Sequence, residues 1–128
     1  MSSKDVNPQQ PQQTAITLIE DTARHLRGLL TDLASRLRPF PAFLNMVSVQ
    51  AIELEPVPGT SQDRGCVVVL PDGQICELDL MAFPGLQGIR EIDSVEEITE
   101  LELAPEEYIV YAASAIQLVY RELRRRGQ

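Results

Sequence analysis

The sequence predicts an α+β domain: a small antiparallel sheet of three to four strands, flanked by a long N-terminal and a long C-terminal helix packed on one face. Two segments, residues 14–38 and 105–126, repeat apolar residues in steps of three and four, as amphipathic helices do. Between them, residues 66–80 hold two apolar runs separated by Pro71-Asp72-Gly73, the pattern of a β-hairpin. Two helices enclosing strands in this order favour a layered fold around one core.

The composition limits both the organisation and the classes of partner. A chain of 128 residues suggests one domain, which we place at residues 14–128 after a polar, Gln-rich and Pro-containing tail, residues 1–13, expected to be disordered. The net charge of −8 argues against nucleic acid and anionic membranes as partners. No apolar stretch approaches the ~20 residues that direct membrane insertion requires, and no secretory signal is visible. We therefore expect a cytoplasmic protein.

The first helix is predicted from an unbroken apolar seam. Its positions are Ile16, Ile19, Ala23, Leu26, Leu30, Leu33 and Leu37. Pro39 and Pro41 end the helix because proline cannot continue the hydrogen-bond ladder.

A strand is predicted over residues 46–55, with a change of phase in its middle. Val47 and Val49 alternate with polar residues, and after Ala51 the apolar positions shift by one, to Ile52 and Leu54. The shift indicates either a bulge near Ala51 or a change of face at the sheet edge.

The turn chemistry sets the register of the central hairpin. Pro71 has no N–H to donate, which favours a three-residue loop in which Gly73 takes the left-handed conformation. Leu70 then pairs with Gln74, and alternate residues fall on common faces. One face gathers Cys66, Val68, Leu70, Cys76, Leu78 and Leu80. We expect the two helices to cover that face.

The rest of the chain gives a loop, an ambiguous segment and a helix. Residues 81–93 contain Pro84, Gly85 and Gly88 and predict mostly loop. Residues 94–103 combine a capping-box pattern with strand-like alternation, and we favour a strand over residues 97–103. Pro105 at the first helical position predicts the start of the last helix, and the run of arginines near residue 125 suits its C-terminal dipole.

Few residues are available for catalysis or for binding a metal ion. The chain has one histidine and two cysteines and lacks the recognised nucleophile, zinc and phosphate motifs, so we expect no catalytic residue, no metal and no cofactor. His25 falls on the polar side of its helix, where a solvent-exposed role is favoured. Cys66 and Cys76 are not directly opposite in the predicted register, which favours two buried, reduced thiols.

The C-terminal helix carries more apolar surface than a single core contact needs. Its apolar arc spans roughly 220°, whereas a helix covering a core needs little more than 100°. The surplus predicts a protein interface, most simply a homodimer; coverage by the chain's own sheet and the loop at Phe83 is the alternative. The candidate interface residues are Tyr108, Tyr111, Ala115 and Leu118.

An acidic stretch precedes that helix. Residues 91–107 contain eight carboxylates and no Lys or Arg. They suggest a docking surface for a basic partner. The alternative interpretation is a strand face that is simply exposed to solvent. The candidate residues are Glu96, Glu97, Glu100 and Glu102.

These observations favour a small acidic, non-enzymatic protein-interaction domain, such as an adaptor, an assembly factor or a chaperone-like subunit. In fold class it resembles small acidic secretion chaperones, which also combine helices with a three-to-four-stranded sheet. The alternative is a regulatory domain that holds a small ligand between sheet and helices, where Tyr108, Tyr111 and Phe83 would line the pocket.

Overall fold

The chain folds into two parallel helices, a four-stranded antiparallel sheet and a separate two-stranded sheet, which confirms the predicted α+β class. A computed structural model describes residues 10–44, 46–55, 65–84 and 90–127. Its elements are α1 (Gln10–Arg36), β1 (Ala42–Phe43), β2 (Met46–Gln50), β3 (Ile52–Glu53), β4 (Cys66–Val69), β5 (Ile75–Pro84), β6 (Arg90–Glu100) and α2 (Pro105–Arg125). The larger sheet has the strand order β3-β4-β5-β6, and the smaller consists of β1 and β2.

The central hairpin has the register that its turn residues predict. Cys66 lies opposite Leu78 and Val68 opposite Cys76. The Leu70 N–H donates to the Gln74 carbonyl at 2.9 Å, and the Gly73 N–H donates to the Leu70 carbonyl at 2.8 Å. Gly73 has φ +87°, the left-handed conformation that the three-residue loop requires.

The helices cover the opposite face of this hairpin from the one predicted. Val67, Val69 and Ile75 pack with the helices in the main core. The face with both cysteines forms a second cluster with Phe43 and Ala51 instead. The prediction was wrong because it counted apolar residues per face: Val67, Val69 and Ile75 fill the helix-side core although Glu77 and Asp79 lie on the same face.

The chain changes sheets at Ala51, where the sequence shifts its phase. β2 pairs with β1, whereas β3 pairs with β4 in the larger sheet. The buried Ala51 between them donates its N–H to the Pro41 carbonyl at 3.0 Å. The shift therefore marks a passage from one sheet to the other, and β1 with β2 covers the cysteine-bearing face.

β5 and β6 form a longer hairpin than predicted. The loop prediction for residues 81–93 was wrong over residues 81–84 and 90–93, which belong to the paired strands; residues 85–89 lie outside the described part. The strand alternative for residues 94–103 is correct up to Glu100, and the capping-box pattern forms no helix. Two register shifts in β6 explain the mixed alternation that obscured the strand.

The two helices run in the same direction and end together. The Arg27 guanidinium lies 4.3 Å from the centre of the Tyr108 ring, near the start of α2. The Arg126 guanidinium donates to the Pro39 carbonyl, just beyond the end of α1. Since α1 begins at Gln10, four residues of the tail predicted as disordered are helical, and its first half extends beyond α2. Residues 1–9 lie outside the described part.

Two glycines test the packing of the hairpin turn against α1. A Cβ on Gly73 would lie 2.7 Å from the Thr31 Cα, and the positive φ strains any other residue. We expect Gly73→Ala to lower the free energy of unfolding by about 2 kcal/mol or more. Gly28, on α1, has open space around it, with nothing within 4 Å of the position that a Cβ would take. Gly28→Ala should raise the same quantity by about 0.5–1 kcal/mol.

Urea denaturation of the two variants measures both changes. An unchanged stability of Gly73→Ala would contradict the close contact between the turn and α1.

Candidate functional site

A cleft of about 390 Å³ lies where the two sheets meet the C-terminal half of α2. This volume is within the range of ligand-binding pockets. Three segments of the fold line it: residues 41–44, residues 51–53 and one side of α2. The buried Phe43 and Ala51 belong to the part that the small hairpin supplies, and α2 contributes Leu118 together with charged residues.

Arginines hold one carboxylate of the cleft in its ionised form. Glu122 accepts hydrogen bonds from Arg125 Nε at 3.0 Å and from Arg126 Nε at 2.9 Å. These bonds, those from Arg125 first, lower the pKa of Glu122 to about 2. Arg126 also reaches Pro39, so the same cluster joins the ends of the two helices.

Arg121 lies on the same wall, one turn before Arg125. Its side chain has no ion pair or hydrogen bond with any residue that the structure describes. Arg124, by contrast, donates to the Tyr120 hydroxyl at 3.0 Å and lies outside the cleft. The helix side of the cleft thus offers one uncommitted guanidinium.

An exposed leucine marks the mouth of the cleft. Leu44 follows β1, has φ +50° and leaves 49% of its surface exposed. A branched apolar residue in the left-handed region costs free energy, and such strain clusters at functional positions.

The predicted interface residues of α2 lie mainly in the chain's own core. Tyr108 is 4% exposed, Tyr111 2% and Ala115 0%, and all three pack between α1 and the sheet. Leu118 is partly buried and lines the cleft. Much of the apolar arc of α2 is therefore covered by α1 and the sheet, while Val110 and Tyr120 on the same helix stay 38% and 49% exposed.

The first half of α1 also exposes large apolar side chains. Residues 10–22 include no buried side chain. Ile16 is 50% exposed and Leu18 64% exposed. α1 has 27 residues and α2 has 21, and because the two helices end together, α2 does not cover α1 along its whole length.

The acidic candidates are exposed but do not share one face. Glu96, Glu97 and Glu100 lie on β6, an edge strand of the sheet, and Glu102 follows it. Glu97 lies opposite Asp79, and Glu100 lies opposite Cys76, so Glu97 and Glu100 point to opposite faces. Carboxylates along an edge strand also discourage edge-to-edge pairing with other acidic chains.

The remaining candidate residues are one histidine and two cysteines. His25 is exposed on α1, as predicted. Cys76 is buried, Cys66 is half-buried, and both are free thiols. Burial, with a smaller contribution from Glu53, raises the pKa of the Cys66 thiol to about 11, and burial also raises the pKa of Cys76.

The chain matches no protein-family model, no curated protein and no solved structure. Within the described ranges, no group of three or more His, Cys, Asp or Glu side chains is arranged to hold a metal ion. None of the helices in those ranges has the length and apolarity needed to cross a membrane.

The two thiols should react slowly and in a fixed order. At pH 8 a thiol with a pKa of about 11 is only about one part in a thousand ionised. We expect Ellman's reagent to modify Cys66 before Cys76, and both rapidly once denaturant is added. Cys66→Ser and Cys76→Ser assign the two phases. Fast native labelling of both thiols, or a native disulfide, would contradict this expectation.

The Glu122 cluster predicts a pH-dependent contribution to stability. Because its folded-state pKa is lowered from 4.5 to about 2, the contribution is present above pH 4.5 and is lost as pH falls towards 2. Glu122→Gln should therefore be less stable than wild type at pH 7, with a difference that shrinks below pH 4.5. Urea titrations at several pH values measure it, with Glu20→Gln on exposed α1 as the control. A difference that is constant with pH would refute the prediction.

Proposed function

We propose that this chain is a non-enzymatic protein-interaction domain that associates with a second copy of itself through the first half of α1. The observation that carries the proposal is the 50% exposure of Ile16, which lies in the apolar seam of a helix that continues beyond its intramolecular partner. About 20 Å of helix lies in residues 10–22.

The pattern of that helix supports a helical partner. Ile16 and Ile19 continue the three-and-four spacing that Leu26, Leu30 and Leu33 use in the core. Such spacing lets two helices interlock along a seam. An adaptor or assembly role for this domain follows from the proposal, with the acidic residues of β6 as a second, charged contact for a basic partner.

A small ligand between sheet and helices is the less favoured function. Tyr108 and Tyr111, which that function would place around a pocket, are 4% and 2% exposed among packed core side chains. A ligand there would need room that these side chains already fill. The side chain of Phe83 lies outside the described part.

The proposal predicts a concentration-dependent dimer that one surface charge weakens. Ile16→Glu places a carboxylate in the exposed seam and should weaken the dimer about tenfold or more by sedimentation equilibrium. Thr17→Glu is the matched control, because it adds the same charge in the same turn outside the apolar arc. Circular dichroism should show both variants folded, since both positions are exposed.

A wild-type chain that stays monomeric at high micromolar concentration would contradict self-association. Equal weakening by the two variants would indicate a general charge effect and would contradict the assigned surface.

A further inference from the structure

The edge of the larger sheet that β3 forms lines the cleft. Ile52 lies opposite Val69 and Glu53 opposite Val68, and the Leu54 N–H donates to the Val67 carbonyl at 2.8 Å. In an antiparallel ladder this places Ile52 and Leu54 at hydrogen-bonded positions and turns the N–H and C=O of Glu53 outwards. The described residues supply no partner for either group.

The neighbouring position on the edge is already used. Ala51, two residues before Glu53, also points outwards, and its N–H bonds to the Pro41 carbonyl at 3.0 Å. On the N-terminal side of Pro41 the chain leads back to α1, and Phe40 is buried in the main core. The pairing therefore stops one position short of Glu53, and no described residue pairs with the edge there.

The cleft beside this edge carries charges of both signs, with Glu53 on the cysteine-bearing face and Arg121 on the α2 side. Arg121 on α2 lines the same cleft and is not paired with any described residue. Ile52 and Leu118 supply apolar surface between the strand and the helix. A strand added at Glu53 would gain backbone hydrogen bonds from the edge and specificity from these side chains.

We infer that the cleft binds an extended segment of a partner protein, which pairs with the backbone of Glu53 and directs a carboxylate side chain to Arg121. An apolar side chain of the segment packs against Ile52 and Leu118, beside the exposed Leu44. This site is separate from the surface of α1 that carries the proposed self-association.

A strand-forming peptide tests the inference on the full chain. The probe is a fluorescein-labelled heptapeptide, Glu-Thr-Val-Thr-Glu-Thr-Val, whose glutamates and valines share one face of the extended strand, titrated by fluorescence anisotropy. Its counterpart has glutamine at both glutamate positions. We expect the glutamate peptide to bind about tenfold or more tightly than the glutamine peptide, because a charge-assisted hydrogen bond is lost in the second.

Matched variants assign the binding to the cleft. Arg121→Ala should weaken the glutamate peptide about tenfold and leave the glutamine peptide unchanged. Arg124→Ala removes the same charge from a position outside the cleft and should change neither affinity by more than about twofold. Both arginines are exposed, so the variants should fold.

Hydrogen exchange tests the backbone pairing separately from the charge. Addition of the glutamate peptide should slow amide exchange at Glu53, while the Ala51 amide, already bonded to Pro41, should change little. No binding at about 1 mM peptide would overturn the inference. Equal loss in the two arginine variants, or binding without protection at Glu53, would overturn it as well.

Discussion

The larger sheet has to be covered on both faces, and the rest of the fold depends on that requirement. Val67, Val68 and Val69 follow one another in β4, so their side chains alternate between the faces, yet none is more than 6% exposed. Water must be excluded from both sides of such a strand. The helices cover one side, and the small hairpin of β1 and β2 covers the other, which makes two short strands as necessary as the two long helices.

The cleft results from the way these two covers meet. Ala51 joins the small hairpin to β3, and its bond to Pro41 fixes the hairpin beside the edge of the sheet. α2 lies on the opposite face of the same edge. The β1–β2 hairpin and α2 pack on opposite faces of the sheet, and the cleft is the gap between them beside the short edge strand β3. The segments that bury the sheet therefore also form the walls of the cleft.

The turn residues predicted the fold more reliably than the number of apolar residues on each face of the hairpin did. Pro71 and Gly73 determine the hairpin register through a missing N–H and a left-handed φ, and that register was confirmed. The covered face was predicted wrongly, although the unbroken run Val67–Val69 already indicated burial on both sides. The cleft could not be predicted, because it depends on bringing residues 41–44, 51–53 and 118–125 together. The local sequence patterns of these three segments do not indicate that they lie close together.

The charge of the whole chain is a poor guide to the charge of the cleft. A net charge of −8 argues against anionic partners on average. At the end of α2, however, Arg125 and Arg126 are committed to Glu122, and the helix dipole explains a basic run there without distinguishing its members. Arg121 and Arg125 both line the cleft, and of the two only Arg121 has no partner among the described residues. In the proposed complex, Arg121 gives an acidic segment a favourable contact at the strand edge of a chain whose net charge otherwise repels it, and specificity arises from that contrast.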